Sequence, residues 1–110
     1  MRKYLDIPLT LIVTAILTIA MLWPLDQPPP APDGSDKLLH IVAFAALAFP
    51  LARTGRIGLI PVFLYAVAFG GIIEVLQPSF GRSTDIQDWI ADIVGVVFGI
   101  FIGLIYRQLR

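Results

Sequence analysis

The sequence predicts an all-α membrane protein: four transmembrane helices in an up-down bundle, with both termini in the cytoplasm. The 110 residues are 57% apolar and 15% charged, whereas a soluble domain averages about 45–50% apolar and about 25% charged. The apolar residues fall into four runs, at about 5–25, 36–52, 57–77 and 86–106. No stretch outside these runs is long enough for a second core, which indicates a single domain over residues 1–110.

Charge and cysteine content exclude several function classes. Eight basic residues balance eight acidic ones, so the chain lacks the basic surface of a nucleic-acid-binding protein. It contains no cysteine, which rules out disulfides, thiol catalysis and thiolate metal sites.

The first run follows a short basic start and, extended from Leu5 to Leu25, reaches about 20 residues, enough to cross a bilayer core. A cleavable secretory signal would look similar at its start. Residues 23–26, Trp-Pro-Leu-Asp, offer no small-residue cleavage pattern. The sequence therefore predicts a retained helix.

Residues 26–35 contain three consecutive prolines and a Pro-Asp-Gly turn, which predicts a polyproline linker outside the bilayer, on the periplasmic side. Ser35 or Asp36 is then expected to cap a second helix over 36–52. Pro50 lies near the far end of that helix.

The remaining runs are separated by one basic turn and one polar loop. Residues 53–56 form the turn, and the third run ends near Gln77 because a residue before proline disfavours the helical conformation. A polar loop over 78–85 leads to the fourth run. Six of the eight basic residues lie at the termini and in the basic turn, which favours a cytoplasmic location for those segments.

Helices of alternating direction would bring the outer ends of runs two, three and four together, and those ends carry polar side chains. Ionisable groups at the edge of a membrane span are costly and usually functional. We predict a catalytic group and a substrate-binding group there. The catalytic candidates are His40, Glu74 and Asp88, and the substrate-binding candidates are Asp36, Lys37, Gln77, Arg82, Ser83 and Asp92.

One face of the fourth run carries both acids and glycines. At about 100° per residue, Asp88, Asp92, Gly95, Gly99 and Gly103 fall within a sector of roughly 80°. A glycine track lets another helix backbone approach closely, as helices in lipid do. The track is expected to serve helix packing and is compatible with a homo-oligomer.

Simpler interpretations exist for several of these residues. Asp36 and Asp85 suit helix caps, Lys37 could extend its amine to the headgroups, and the whole set could be a structural ion-pair network. His40, Glu74, Asp88 and Asp92 offer ligands for a divalent cation. No metal site is predicted and no cofactor is assigned, because the chain has one histidine and no spaced motif such as H-E-x-x-H.

The order of these residues resembles the VanZ-like family of small membrane proteins. The resemblance is carried by the segments Asp36-Lys37-x-x-His40, Glu74-x-x-Gln77, Gly81-Arg82 and Asp88-x-x-x-Asp92-x-x-Gly95-x-x-x-Gly99. The family often has asparagine in place of Asp92. The resemblance implies a multi-pass protein of the bacterial inner membrane and, from the founding member, low-level teicoplanin resistance. It does not supply a reaction.

From these features we expect the extracytoplasmic polar groups to engage a membrane lipid or a lipid-linked cell-wall intermediate. Arg82 and Lys37 would contact anionic oxygens, and His40 and Glu74 would act as acid and base. Hydrolysis or transfer at a phosphate or ester is the compatible reaction class, although the sequence leaves open whether the protein is an enzyme. The alternatives are non-catalytic binding of a lipid or glycopeptide, and a structural role for a buried ion-pair network.

Overall fold

The computed structural model describes residues 5–23, 35–80 and 85–109, apart from the side chains of residues 35 and 36. These residues form four α-helices and no strand, which confirms the predicted fold class. The helices are α1 (Asp6–Leu22), α2 (Ser35–Thr54), α3 (Leu59–Leu76) and α4 (Ile86–Gln108). A short 3₁₀ helix, Gln77–Phe80, continues from the end of α3. The predicted proline-rich linker over 26–35 lies almost entirely outside the described residues.

Three of the helices, α2, α3 and α4, are long and apolar enough to cross a membrane. Helix α1 is also apolar but has only 17 residues, about 25 Å at 1.5 Å per residue. The predicted first span reached Leu25, whereas α1 ends at Leu22 and Trp23 is already extended. Large apolar side chains are exposed along the outside of all four helices, as expected for surfaces that face lipid.

Helix α2 extends two residues further than the expected end at residue 52. Pro50 lies inside the helix and does not break it. The chain reverses at Gly55, whose φ of 72° is in the left-handed region that glycine adopts without steric cost. The Gly55 amide donates to the Leu51 carbonyl at 3.2 Å, which satisfies one of the last carbonyl groups of the helix.

The ends of α3 and α4 follow local signals. Helix α3 ends at Leu76, directly before the Gln77-Pro78 pair that predicted its end. Helix α4 begins after Asp85, whose side chain accepts a hydrogen bond from the Gln87 amide at 2.9 Å. Asp85 is thus the N-cap residue, one of the two roles that its position suggested.

The most extensive helix packing is between α2 and α4, and it takes place through the glycine face of α4. Gly95, Gly99 and Gly103 are buried. A Cβ atom at Gly95 or Gly99 would lie closer than 3.0 Å to the backbone of Ile41 or Ala45 of α2, respectively. The missing side chains therefore allow two helix backbones to touch, and in this structure the glycine face is covered by α2 of the same chain.

Helix directions alternate, so each end of the bundle collects residues from several helices. The start of α2, the end of α3 and the start of α4 meet at one end, where Lys37, Glu74 and Asp88 lie. The start of α1, the end of α2 and the end of α4 meet at the other. Buried apolar side chains fill the space between the ends, among them Phe44, Leu47, Val62, Ile73 and Val96.

Candidate functional site

Five ionisable side chains from three helices gather at one end of the bundle, and we call them the polar cluster. They are Lys37 and His40 of α2, Glu74 of α3, and Asp88 and Asp92 of α4. Asp92 is six residues beyond the start of α4, about 9 Å along the helix axis. The cluster therefore reaches from the helix ends into the apolar part of the bundle.

The innermost pair of the polar cluster joins α2 to α4. Nδ1 of His40 and Oδ1 of Asp92 lie 2.5 Å apart, so the imidazole N–H donates to the carboxylate. Nε2 of the same ring faces Oδ2 of Asp88 at 3.9 Å, longer than a direct hydrogen bond. Two carboxylates thus fix the orientation of His40, and its side chain keeps 13% of its surface exposed.

The outer part of the polar cluster is an ion-pair group around Lys37. Its ammonium group contacts Asp88 and lies 3.1 Å from Asp85. The Lys37 side chain is 28% exposed and that of Asp85 is 43% exposed, so water screens this part more strongly than the His40 pair. Asp88 lies between the two parts and connects Lys37 with His40.

Glu74 brings α3 into the polar cluster. One carboxylate oxygen, Oε2, accepts a hydrogen bond from the backbone amide of Asp85 at 3.1 Å. This contact ties the end of α3 to the first turn of α4, where the exposed amides favour a negative charge. Glu74 is only 6% exposed although it lies on an otherwise apolar helix.

Asp92 is fully buried, with 0% of its surface exposed. Its Oδ1 atom is paired with His40, but its Oδ2 atom has no hydrogen-bond partner among the described residues. Oδ2 faces α3 at Gly70, where an added Cβ would lie 2.9 Å from it. Gly70 is one helical turn before Glu74 and on the same face, so this oxygen points towards the part of α3 that carries Glu74.

The remaining site candidates lie elsewhere or outside the described part of the chain. Gln77 is buried, and its amide nitrogen donates to the Met21 carbonyl of α1 at 3.2 Å. This contact fastens α1 to the end of α3. Asp36 is in the first turn of α2, and its side chain is not described. Arg82 and Ser83 both lie outside the described residues.

An apolar groove of about 660 Å³ runs between α3 and α4 on the outside of the bundle. Its walls include Ala68, Gly71, Val75 and Trp89, and Glu74 also lines it. The indole nitrogen of Trp89 donates to the Val67 carbonyl at 3.1 Å, which holds the ring against α3. The groove and the polar cluster therefore share one residue, Glu74.

Three members of the polar cluster could together hold a metal ion. One ligand atom each from His40, Glu74 and Asp92 can be chosen so that all three lie within 4.8 Å of one another. Nitrogen and oxygen ligands of this type suit zinc and harder divalent ions. The sequence analysis named these three residues, together with Asp88, as possible ligands of a divalent cation, but it predicted no metal site because no spaced motif connects them.

A third buried acid, at the opposite end of the bundle, was not singled out in the sequence. Asp6 is 0% exposed; it accepts hydrogen bonds from Thr54 at 2.5 Å and from Arg56 at 2.8 Å. Nearby, the guanidinium of Arg53 lies 4.7 Å from the centre of the Tyr106 ring, within cation–π distance. One feature of the sequence did point to this contact. The charge distribution places the acidic Asp6 at the same end of the bundle as the basic turn over residues 53–56.

Comparison with known proteins supports the resemblance noted in the sequence. The model of the VanZ/LLP1 family matches residues 5–107, a region that includes the whole polar cluster and the groove. Searches of curated proteins and of solved structures found no significant match. Because the family model covers most of the chain, the chain belongs to the VanZ/LLP1 family.

Proposed function

We propose that this membrane protein binds a lipid or a lipid-linked cell-envelope intermediate, with the polar head at the polar cluster and a hydrocarbon chain in the groove. The observation that carries the proposal is the position of Glu74, which belongs to the polar cluster and also lines the groove. A ligand with a polar head and a long apolar tail would satisfy both surfaces at once. A water-soluble ligand would have no apolar part to occupy the groove.

The polar head would be held by basic groups at the outer end of α2 and in the loop before α4. Lys37 is already positioned by carboxylates, so its ammonium could be shared with a phosphate as a point charge. Arg82 is proposed as a second, fork-shaped contact to anionic oxygens. The Ser83 hydroxyl would add a hydrogen bond.

The inner part of the polar cluster is suited to proton transfer. His40 is oriented by Asp92 in the way that a carboxylate orients a catalytic imidazole, and Glu74 lies close enough to share a reacting group with it. With Asp88 near Nε2, His40 and Glu74 would act as acid and base. We therefore propose hydrolysis or transfer at a phosphate or ester as the reaction class.

A non-catalytic role is the second candidate, and one observation favours it. The contacts of Lys37, His40 and Glu74 all join one helix to another. An ion-pair network of this kind could exist only to hold α2, α3 and α4 together, or could bind a lipid or glycopeptide without turnover. Stability and binding measurements on the same variants separate these cases.

Filling the groove is expected to remove lipid binding without unfolding the protein. Ala68 is an exposed groove residue, so Ala68→Phe would occupy the volume proposed for the hydrocarbon chain. We expect the purified protein to retain a polyprenyl phosphate in preference to the same prenol without phosphate, as measured by native mass spectrometry. Ala68→Phe should weaken this retention roughly tenfold, about 1.4 kcal/mol.

Two further variants test this result. Ala46→Phe adds the same ring at an exposed position of α2 outside the groove and should bind like the wild type. Glu74→Gln keeps the side-chain shape while removing a negative charge beside the proposed phosphate, so in metal-free protein it should not lower the preference for the phosphate-bearing lipid. Equal binding by wild type and Ala68→Phe would contradict the proposal. Variants that lose thermal stability in detergent as well as binding would favour the structural role.

The proposal places the polar cluster at the outer face of a bacterial inner membrane, with both termini in the cytoplasm. Arg53, Arg56 and Arg107 gather at the opposite end of the bundle, and basic residues prefer the cytoplasmic side. Family membership also suggests a contribution to teicoplanin resistance, through the cell-envelope lipid that the protein would bind.

The orientation can be tested because the chain contains no cysteine. Ser79 and Gln108 are both exposed and lie at opposite ends of the bundle. We expect Ser79→Cys to react with a membrane-impermeant maleimide in intact spheroplasts, and Gln108→Cys to react only after permeabilisation. The reverse labelling pattern would place the polar cluster in the cytoplasm and refute the extracytoplasmic part of the proposal.

A further inference from the structure

We infer that the polar cluster binds a divalent cation of the zinc or manganese type, coordinated by His40, Glu74 and Asp92. The three side chains come from three different helices, and each offers one ligand atom within 4.8 Å of the others. One imidazole nitrogen and two carboxylates form a mixed donor set that these ions accept. The inference rests on the proposed function in one respect: it supplies that site with a positive charge for the lipid phosphate. In the cation-bound site, His40 and Glu74 would serve as ligands and would not be the acid and base.

The state of Asp92 is an independent observation that points to a ligand. The residue is fully buried, and Oδ2 lacks a hydrogen-bond partner among the described residues. A buried carboxylate oxygen without a partner is destabilising, because it has lost its hydrogen bonds to water and has gained none in the protein. The oxygen faces the part of α3 that carries Glu74. A cation between the two carboxylates would satisfy it.

The charge balance at this end of the bundle leads to the same conclusion. Among the described side chains there, four are carboxylates, and the only basic groups are Lys37 and His40. The carboxylates are Glu74, Asp85, Asp88 and Asp92. A divalent cation among these described carboxylates would neutralise part of their charge and would attract an anionic phosphate.

The His40 nitrogen that would not bind the cation, Nε2, has the kind of neighbour that is usual for a metal-bound histidine. Nδ1 now shares a proton with Asp92 at 2.5 Å, and a cation would replace that proton. Nε2 then faces Asp88 at 3.9 Å, and a carboxylate beside the free nitrogen is the usual partner that orients a metal-bound histidine. Ligand atoms around tetrahedral zinc are about 3.4 Å apart, so the His40 and Asp92 side chains would have to separate from their present 2.5 Å contact to admit the ion, with Glu74 completing the set.

Three protein ligands leave at least one coordination position for another molecule, as catalytic zinc sites do. In this site, the open position would be available to a phosphate oxygen of the lipid head or to a water molecule. The protein would thereby bind the head through the cation and the tail through the groove, with Glu74 contacting both.

The test is direct measurement of metal binding by the full-length protein in detergent micelles after treatment with EDTA and dialysis. Isothermal titration with Zn²⁺ and with Mn²⁺ should show saturation at one equivalent for at least one of the two ions. Asp92→Asn and Glu74→Gln, which preserve side-chain shape, should weaken that binding by roughly tenfold or more.

Asp85→Asn is the matched control. It removes the same charge at the same end of the bundle, keeps a residue that caps helices well, and lies outside the proposed ligand set. Its effect should be only a few-fold. The inference is overturned if neither ion saturates at one equivalent, or if Asp85→Asn weakens binding as much as Asp92→Asn does.

Lipid binding distinguishes this inference from the proposed function. If the polyprenyl phosphate is retained equally before and after EDTA treatment and neither ion binds, the inference fails and the proposed function stands. If an ion binds but the phosphate-bearing lipid is not preferred over the prenol, the metal site stands and the proposed function fails.

Discussion

Replacing Gly95 by alanine is expected to destabilise the protein by about 3 kcal/mol, the upper part of the range for overpacked interiors. The added Cβ would lie closer than 3.0 Å to three backbone atoms of Ile41, and a helix backbone cannot move aside as a flexible side chain can. Helix propensity alone predicts the opposite sign, since alanine is favoured over glycine by about 1 kcal/mol in a helix. A lower melting temperature for Gly95→Ala would therefore report the steric clash between α2 and α4, because helix propensity alone would raise it.

Gly58→Ala is the control for this experiment. Gly58 precedes α3 with a negative φ, and among the described residues its Cβ would meet only two side-chain carbons of Pro61, at 3.4 and 3.9 Å. We expect little change in the melting temperature of this variant in detergent, and a decrease of roughly 10 °C for Gly95→Ala. An unchanged or raised melting temperature for Gly95→Ala would mean that α2 and α4 do not pack through this face.

The second large effect is expected from Asp6→Ala, at about 2–4 kcal/mol. Breaking a buried ion pair by removing one partner typically costs about 3–5 kcal/mol, and the lower range applies here because the Arg56 side chain is 41% exposed. The Asp6 carboxylate accepts hydrogen bonds from Thr54 and Arg56, so it fastens the start of α1 to the connection between α2 and α3. Its loss should release α1.

Limited proteolysis and thermal unfolding in detergent would measure this effect. Thr18→Ala provides a control on the same helix, because the Thr18 hydroxyl bonds only to the Thr14 carbonyl one turn earlier. That change should cost well under 1 kcal/mol. If Asp6→Ala were no less stable than Thr18→Ala, the hydrogen bonds of Asp6 would contribute as little as an exposed ion pair. Helix α1 would then be held by other interactions.

The sequence predicted the helices well where a strong local signal marked their ends. Gln77-Pro78 ended α3 at the expected place, and Asp85 began α4 as a cap. It was less accurate at the basic turn. There the predicted second helix, with Pro50 near its far end, stopped at residue 52, whereas α2 continues to Thr54. Proline is tolerated inside membrane-spanning helices because neighbouring groups can satisfy the freed backbone carbonyl.

The spacing rule for helices explains how much of the site could be predicted. Asp88, Asp92 and the glycines of α4 share a face at 100° per residue, so their common orientation followed from the sequence. The Gln77 contact with Met21 could not be foreseen, because it depends on where α1 lies against α3. Nor could the groove, since it is formed only where α3, at Gly71, and the Trp89 ring of a second helix come together.

The position of the groove determines the route by which a molecule could reach the buried acids. Its walls carry apolar side chains that face outwards, such as Ile72 and Val75, so the approach is sideways, from the hydrocarbon layer. The concentration of such a molecule at the groove would then depend on its partitioning into the bilayer and on its two-dimensional diffusion within it. If the proposed lipid binds there, a soluble headgroup mimic that lacks an acyl or prenyl anchor should be a poor competitor for its binding, whereas amphiphiles should compete better as their chain length increases.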